Sequence, residues 1–227
     1  MEDNKKIAGT AGSPEDRFII NIGRQLGSGG RQIGRWLAEN LGIAYYDKEI
    51  LTLAAKESGF CEEIFQRNDE KKSYFDSMFG TMVPIFGGLE GDFYINQYTN
   101  QVSDENLFRI QSDAIRKAAS EGSSIFIGRC ADYVLRDFPR CVNVFIAANE
   151  EDRIRRIMEL TQVDEKHAEK LMRQGDSKRA DFYNFYSSGE WGAAATYDLC
   201  INSSILGIEG TAEFIKSFVE KKLAIKG

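Results

Sequence analysis

The sequence predicts an α/β protein built on a parallel sheet with helices on both faces. Two observations carry that expectation. An apolar β-type run, Phe18–Ile22, stops at the glycine-rich turn Gly27-Ser28-Gly29-Gly30 and passes at once into a helical pattern over Ile33–Leu41. Strand-like runs then keep alternating with helical ones to the C terminus, the pattern of parallel strands joined by crossover helices.

The elements follow in order. Ile43–Tyr46 reads as a second strand ending at Asp47. Lys48–Ser58 has helical spacing of Ile50, Leu51, Leu53 and Ala54, closed by Gly59. From Cys61 to Asp104 the period is lost and large apolar residues accumulate (Met78, Phe79, Met82, Val83, Ile85, Phe86). This insert is expected to form short helices and a loop. It either packs within the monomer or meets a second subunit, so a homodimer stays open. Regular pattern resumes with a helix over Glu105–Glu121, its apolar face carrying Leu107, Ile110, Ala114, Ile115 and Ala118. Ser124–Arg129 is the third strand running into a turn, and Val142–Ile146 the fourth. Charged helices follow over Glu150–Leu160 and Asp164–Arg173, then a fifth strand over Tyr197–Asn202 and a closing helix over Glu209–Lys222. In a parallel sheet, ligands collect beyond the carboxyl ends of the strands, so the loops after Ile22, Tyr46, Ile127 and Ile201 share one cleft.

Composition narrows the classes. With 227 residues, 42% of them hydrophobic, the chain can form one large domain over 17–227. A net charge of −6 argues against a general nucleic-acid binder. No apolar run approaches the roughly 20 residues of a membrane span. Residues 1–16 are polar and small, without the apolar stretch of a secretory signal; they read as a disordered tail of a cytoplasmic protein. Cys61, Cys130, Cys141 and Cys200 show no C-x-x-C spacing, so no metal site is expected and buried free thiols are. The single histidine, His167, lies in a charged helical run, and no G-x-S-x-G elbow is present, which removes histidine-based hydrolysis.

Three constellations point to an anionic ligand. The turn Gly27–Gln32 puts backbone amides and a helix N-terminus around one space, with Arg24 and Arg31 beside it, which suits phosphate. As a dinucleotide fingerprint it lacks the glycine that Gln32 replaces, although Asp47 stands about 20 residues on. As a G-x-x-x-x-G-K-[ST] loop it lacks the lysine and the hydroxyl residue. The second constellation, Ile127-Gly128-Arg129-Cys130-Ala131-Asp132, projects an arginine and an aspartate from a turn at a strand end; an internal Arg–Asp brace is the alternative. The third is Arg173, Asp176 and Arg179, spaced by three on one broad helical face. They are either a solvated charge run or cations that close over a phosphoryl group.

Taken with Tyr45-Tyr46-Asp47-Lys48-Glu49 and Tyr197–Ser204, these segments resemble the cytidylate kinase-like family, a branch of the P-loop nucleoside monophosphate kinases, over Phe18–Ile215. The resemblance implies a P-loop kinase-like three-layer α/β sandwich with a lid near 164–190 and the insert near 61–104. It implies ATP and Mg²⁺ as cofactors and phosphoryl transfer to a nucleoside monophosphate, CMP or dCMP first, with no nucleic-acid or membrane partner. Gly27, Ser28, Gly29, Gly30, Arg31 and Gln32 would hold ATP phosphates. Asp47 would line the acceptor pocket or order the magnesium shell, and Arg129 and Asp132 would bind the acceptor. Arg173, Asp176 and Arg179 would form the lid, and Asn202, Ser203 and Ser204 the adenine-side loop. Aligned on Leu37-Ala38-Glu39, Gly30 falls at the P-loop lysine and Gln32 at the hydroxyl residue; a shift of one residue puts Arg31 at the lysine. Cys130 stands where the G-R-D segment of the classical cytidylate kinases has aspartate. Three readings stay open: a cytidylate kinase with Arg31 as stand-in, a kinase for another small phosphate acceptor, or a non-catalytic nucleotide sensor. A dehydrogenase is the remaining class.

Overall fold

The computed structural model describes residues 16–47 and 104–224. The tail to residue 15, the helix expected over 48–58 and the insert to residue 103, with Cys61, lie outside them. The chain divides into two compact units, one of Met1–Lys48 with Ile115–Gly227, the other of Glu49–Ala114.

In the first unit the alternation of apolar runs yields five parallel strands: β1 (Ile19–Arg24), β2 (Ala44–Tyr46), β3 (Ser124–Ile127), β4 (Cys141–Ala147) and β5 (Leu199–Asn202). Their order is β2-β3-β1-β4-β5, so the strand leading into the glycine-rich turn is central. Helix α1 (Gly30–Leu41) follows that turn, and α2 (Asp104–Glu121) enters β3. A short α3 (Ala131–Val134) follows β3. Two long helices, α4 (Glu150–Thr161) and α5 (Glu165–Tyr186), separate β4 from β5. The last helix, α6 (Ser203–Leu223), is broken at Gly207, whose φ is 68°.

Register sets which side chains share a face. Ile20 pairs with Ile125 and Val142, and Ile22 with Ile127 and Val144. Side chains alternate across a strand, so these six residues form one apolar surface. Ile33 and Leu37 of α1 and Ala212, Ile215 and Val219 of α6 close over it, all fully buried. At about 1.5–3 kcal/mol per large apolar side chain, this layer is the main stabilising element. On the opposite face Tyr46 stacks on Phe126 with centroids 5.2 Å apart. Asn21 there donates to Asn143 Oδ1 at 2.9 Å, a polar pair locked by the β1–β4 register.

Three expectations shift. Helix α5 does not stop at Arg173 but runs to Tyr186. The closing helix starts at Ser203, its first turn set off by the left-handed break at Gly207. Cys200 is exposed, because β5 is an edge strand; Cys130 is buried, as expected. None of the described helices is long and apolar enough to cross a membrane.

Candidate functional site

The turn after β1 takes its shape from glycine. Gly27 and Gly29 have φ of 76° and 80°, a region that disfavours residues with a Cβ. Gly29 is the N-cap of α1, no side chain caps it, and the first turn holds no acidic residue. The N-cap glycine of this twelve-residue helix thus offers its first amides no side-chain acceptor, the condition under which an anion is favoured there. Ser28 is fully enclosed in this turn, and its Oγ has no hydrogen-bond partner. A buried hydroxyl without a partner costs about 1–3 kcal/mol, which a phosphate oxygen arriving at the turn would recover.

Arg24, at the carboxyl end of β1, is only 8% exposed. Its stem runs past the start of α1: a Cβ at position 30 would lie 2.8 Å from Arg24 Cβ and 2.9 Å from Cγ. Its guanidinium reaches the turn after β3, where a Cβ at Gly128 would overlap Nη1 and lie 3.4 Å from Cζ. Arg24 thus spans the two turns. Beside it, the Tyr45 hydroxyl is buried without a partner, and its pKa is pushed up to about 12. Burial is the chief cause and the Asp47 carboxylate adds to it; Arg35, Arg31 and Arg24 pull the other way. The ends of β1 and β2 and the start of α1 therefore gather three arginines and a buried aspartate around one phenol.

The turn after β3 is left-handed at three successive residues, Gly128, Arg129 and Cys130, with φ of 72°, 60° and 53°. It holds Arg129 over the Phe182 ring at 5.2 Å. Cys130 points into the core, and burial pushes its thiol up to about 12. Asp132 accepts a hydrogen bond from Tyr183 Oη of α5. Burial raises the carboxyl pKa of Asp132 despite that bond, and burial, with the Asp132 carboxylate adding to it, holds the Tyr183 phenol above its usual range.

The α4–α5 pair grips the first turn by its backbone. Leu26 donates its N–H to Asp176 Oδ1 at 2.7 Å, and its carbonyl accepts from Arg153 Nε at 2.7 Å. Arg153 Nη2 pairs with Asp176 Oδ2, closing a ring around one residue. Arg156 donates to the Gly27 carbonyl at 3.1 Å, and Arg179 to the Arg24 carbonyl at 3.4 Å. Leu26 itself packs with Ile157, Ala168 and Met172. Asp176 and Arg179 thus lie against the glycine-rich turn. Arg173 does not join them: it is 67% exposed and pairs with Glu169 at 2.7 Å and Glu150 at 3.3 Å. A spacing of three residues turns 60° short of a full circle, so two such steps carry Arg173 away from Arg179.

The loop after β5 also meets this turn. Ser203 Oγ donates to the Ser28 carbonyl at 2.7 Å. Asn202 caps α6 by accepting from Ser204 N and donates to Asn149 Oδ1 at 2.8 Å. Asn149 N donates in turn to Ser204 Oγ. Asn202, Ser203 and Ser204 are therefore fixed between the glycine-rich turn and the start of α4.

Sequence reasoning left several participants out of its candidate site. Arg24 was noted only as a flanking charge. Tyr45 had a readable signal, since it shares a strand face with Asp47 two residues on. Arg153 had none, because it sits in the charged run Glu150–Arg156 and meets Asp176 only through the tertiary fold.

A five-stranded parallel sheet in the order 2-3-1-4-5, with a glycine-rich turn between its central strand and a helix, defines an α/β protein of the P-loop kinase-like class. A model of the cytidylate kinase-like family matches residues 19–205, and the chain belongs to that family. Its structure is similar to an uncharacterized protein from Eubacterium ventriosum, with a TM-score of 0.67 and 27% identity over 90% of this chain and 99% of that one. It also matches a shikimate kinase from Bacteroides thetaiotaomicron (TM-score 0.49, 13% identity, 89% and 98% covered). A shikimate kinase from Acinetobacter baumannii matches with a TM-score of 0.47 and 14% identity, covering 91% and 94%. No curated protein matches the sequence.

Proposed function

We propose that this protein transfers the γ-phosphoryl group of ATP to a small acceptor bearing a phosphate, a nucleoside monophosphate with CMP or dCMP first. The observation that supports this best is the turn after β1: an uncapped helix start enclosing the partnerless Ser28 Oγ, with Arg24 lying from it to the turn after β3.

In this reading the amides of Gly27–Gln32 hold the donor phosphates, and Asn202–Ser204 border the adenine. Asp47 would hold magnesium, which binds through one or two carboxylates together with substrate phosphates. A magnesium ion held there would supply neutralisation of the charge on the donor phosphates. Arg129 and Asp132 orient the acceptor. Transfer forms a bond from an acceptor phosphate oxygen to the γ-phosphorus and breaks the bond to the β–γ bridging oxygen, leaving ADP. An acceptor phosphate is already ionised at neutral pH, so no general base is required, and the arginines stabilise charge on the transferring group.

One observation widens the acceptor. Cys130, at the position where the related G-R-D segment has aspartate, is buried and protonated, so it offers no carboxylate to a cytosine amino group. The test is ADP production from Mg·ATP with CMP, dCMP, UMP, AMP, GMP and no acceptor. Turnover above the no-acceptor rate is the expected result. Binding of Mg·ATP without turnover for any acceptor favours a nucleotide sensor, and absence of both removes the reading.

A further inference from the structure

The G-x-x-x-x-G-K-[ST] phosphate loop carries a lysine that this chain lacks, and the sequence offered Arg31 as its stand-in. The structure favours a different residue. Position 30, which aligns with that lysine, is glycine, and the room its side chain would take is filled by the stem of Arg24. A Cβ there would lie 2.8 and 2.9 Å from Arg24 Cβ and Cγ. These atoms are fixed near the backbone of a central strand and cannot swing aside as a side-chain tip could. A lysine at 30 and Arg24 as placed therefore exclude each other.

The rest of the geometry agrees. Arg24 leaves the last residue of β1, passes the helix start beside Ser28, and ends at Gly128, which lacks the Cβ that would displace the guanidinium. Ser28 Oγ lies 3.6 Å from the same point at position 30 and has no partner. Two glycines, one in each turn, thus clear the path of one buried arginine, and its carbonyl is held by Arg179. A planar guanidinium with five donors can meet a phosphate oxygen from this position as well as an ammonium could.

We propose that Arg24 is the cation that takes the place of the phosphate-loop lysine, reaching from the end of β1 to the phosphoryl group between the two turns, and that Gly30 is glycine to let it pass. This rests on the phosphoryl-transfer reading above. A replacement by exchange of positions makes a specific prediction: the lysine becomes acceptable at 30 once Arg24 is removed.

The experiment compares wild type, Arg24→Met, Arg31→Met, Gly30→Ala, Arg24→Gly and the double variant Arg24→Gly/Gly30→Lys, in which both stem atoms that crowd position 30 are gone. It measures kcat with the best acceptor and Mg·ATP binding by calorimetry. Arg24→Met is expected to lower kcat about 10²–10³-fold, the scale for losing one donor to a transition-state charge. Arg31→Met should lose less than about tenfold, and the double variant should regain at least about tenfold over Arg24→Gly. Gly30→Ala keeps every charge and should still lower kcat at least about tenfold by displacing Arg24, so it carries the test should Arg24→Met fail to fold. Arg31→Met falling further than Arg24→Met, a double variant no better than Arg24→Gly alone, or full turnover of Gly30→Ala overturns the assignment. Wild type that neither binds nor turns over Mg·ATP overturns the phosphoryl-transfer reading itself, a result separable from a wrong ranking of variants.

Discussion

The turn after β1 and the turn after β3 adjoin the same arginine and solve the same backbone problem in opposite ways. Both reverse the chain at the end of a central strand with left-handed residues. In the first these are Gly27 and Gly29, for which the conformation carries no steric penalty. In the second, only Gly128 is glycine, and Arg129 and Cys130 hold the same region at about 1–2 kcal/mol each. The first turn is thus relaxed in itself and gripped from outside by Arg153, Asp176 and Arg156. The second is strained and held from within, by Cys130 in the core and by the amides of Ala131 and Val134 returning to Gly128 and Cys130. Strain of this kind persists where a side chain is needed at that position. Here the needed ones are Cys130, which anchors the turn, and Arg129, which it presents over Phe182.

If the first turn depends on its outside grip, breaking that grip should have the largest effect. Arg153→Met leaves the largely buried Asp176 carboxylate with only Arg179 Nη1, 4.0 Å away, and the Leu26 carbonyl without its donor. The expected destabilisation is about 3–5 kcal/mol, the scale for removing one partner of a buried pair. Arg153→Met/Asp176→Asn removes the stranded charge while the amide oxygen can still accept from Leu26 N, so it should be more stable than Arg153→Met alone. Chemical denaturation of the two single variants and the double measures this coupling. Independent effects of the two substitutions would mean that the ring around Leu26 is a coincidence of geometry rather than a grip.

Gly27→Ala tests the other half of the contrast. It adds a Cβ where φ is 76°, 2.6 Å from the Arg153 carbonyl oxygen and 2.9 Å from its Cα. Those are backbone atoms of α4 and cannot yield as a side-chain tip would. A loss of about 2–3 kcal/mol is expected, combining left-handed strain with overpacking, read as a fall in the denaturation midpoint. An unchanged midpoint would mean that the turn tolerates a side chain and that its glycines answer only to the ligand.

The contrast also explains how much was legible in the sequence. The five strands and the glycine-rich turn could be read because apolar runs and glycines act locally. The role of Gly175 was not legible, because the structure uses it for close approach to a residue distant in sequence. A Cβ there would lie 2.7 Å from Leu26 Cδ2, and α5 continues through it to Tyr186. Arg153 was unreadable for a similar reason, since one buried arginine in Glu150–Arg156 looks like its solvated neighbours until α5 brings Asp176 to it. The strain at Arg129 and Cys130 carries no sequence signal either, because neither residue type is favoured in left-handed turns.

The smallest expected effect is the most specific to the second turn. Arg129→Gly relieves about 1–2 kcal/mol of left-handed strain. Against that stand about 0.5–1 kcal/mol of added chain entropy in the unfolded state and about 0.5–1 kcal/mol for the contact with Phe182. These terms nearly cancel, so stability should stay within about 0.5 kcal/mol of wild type. The same type of change on an ordinary helical surface, Lys170→Gly in α5, lacks the relief and should cost about 1 kcal/mol. Denaturation of both variants side by side reads the difference, and turnover gives a second axis. Arg129→Gly should lower kcat/KM for the acceptor while leaving stability in place, the separation expected of a side chain kept in a strained position for binding. A drop in stability as large as that of Lys170→Gly would show instead that Arg129 holds the turn together, and the contrast between the two turns would then rest on Cys130 alone.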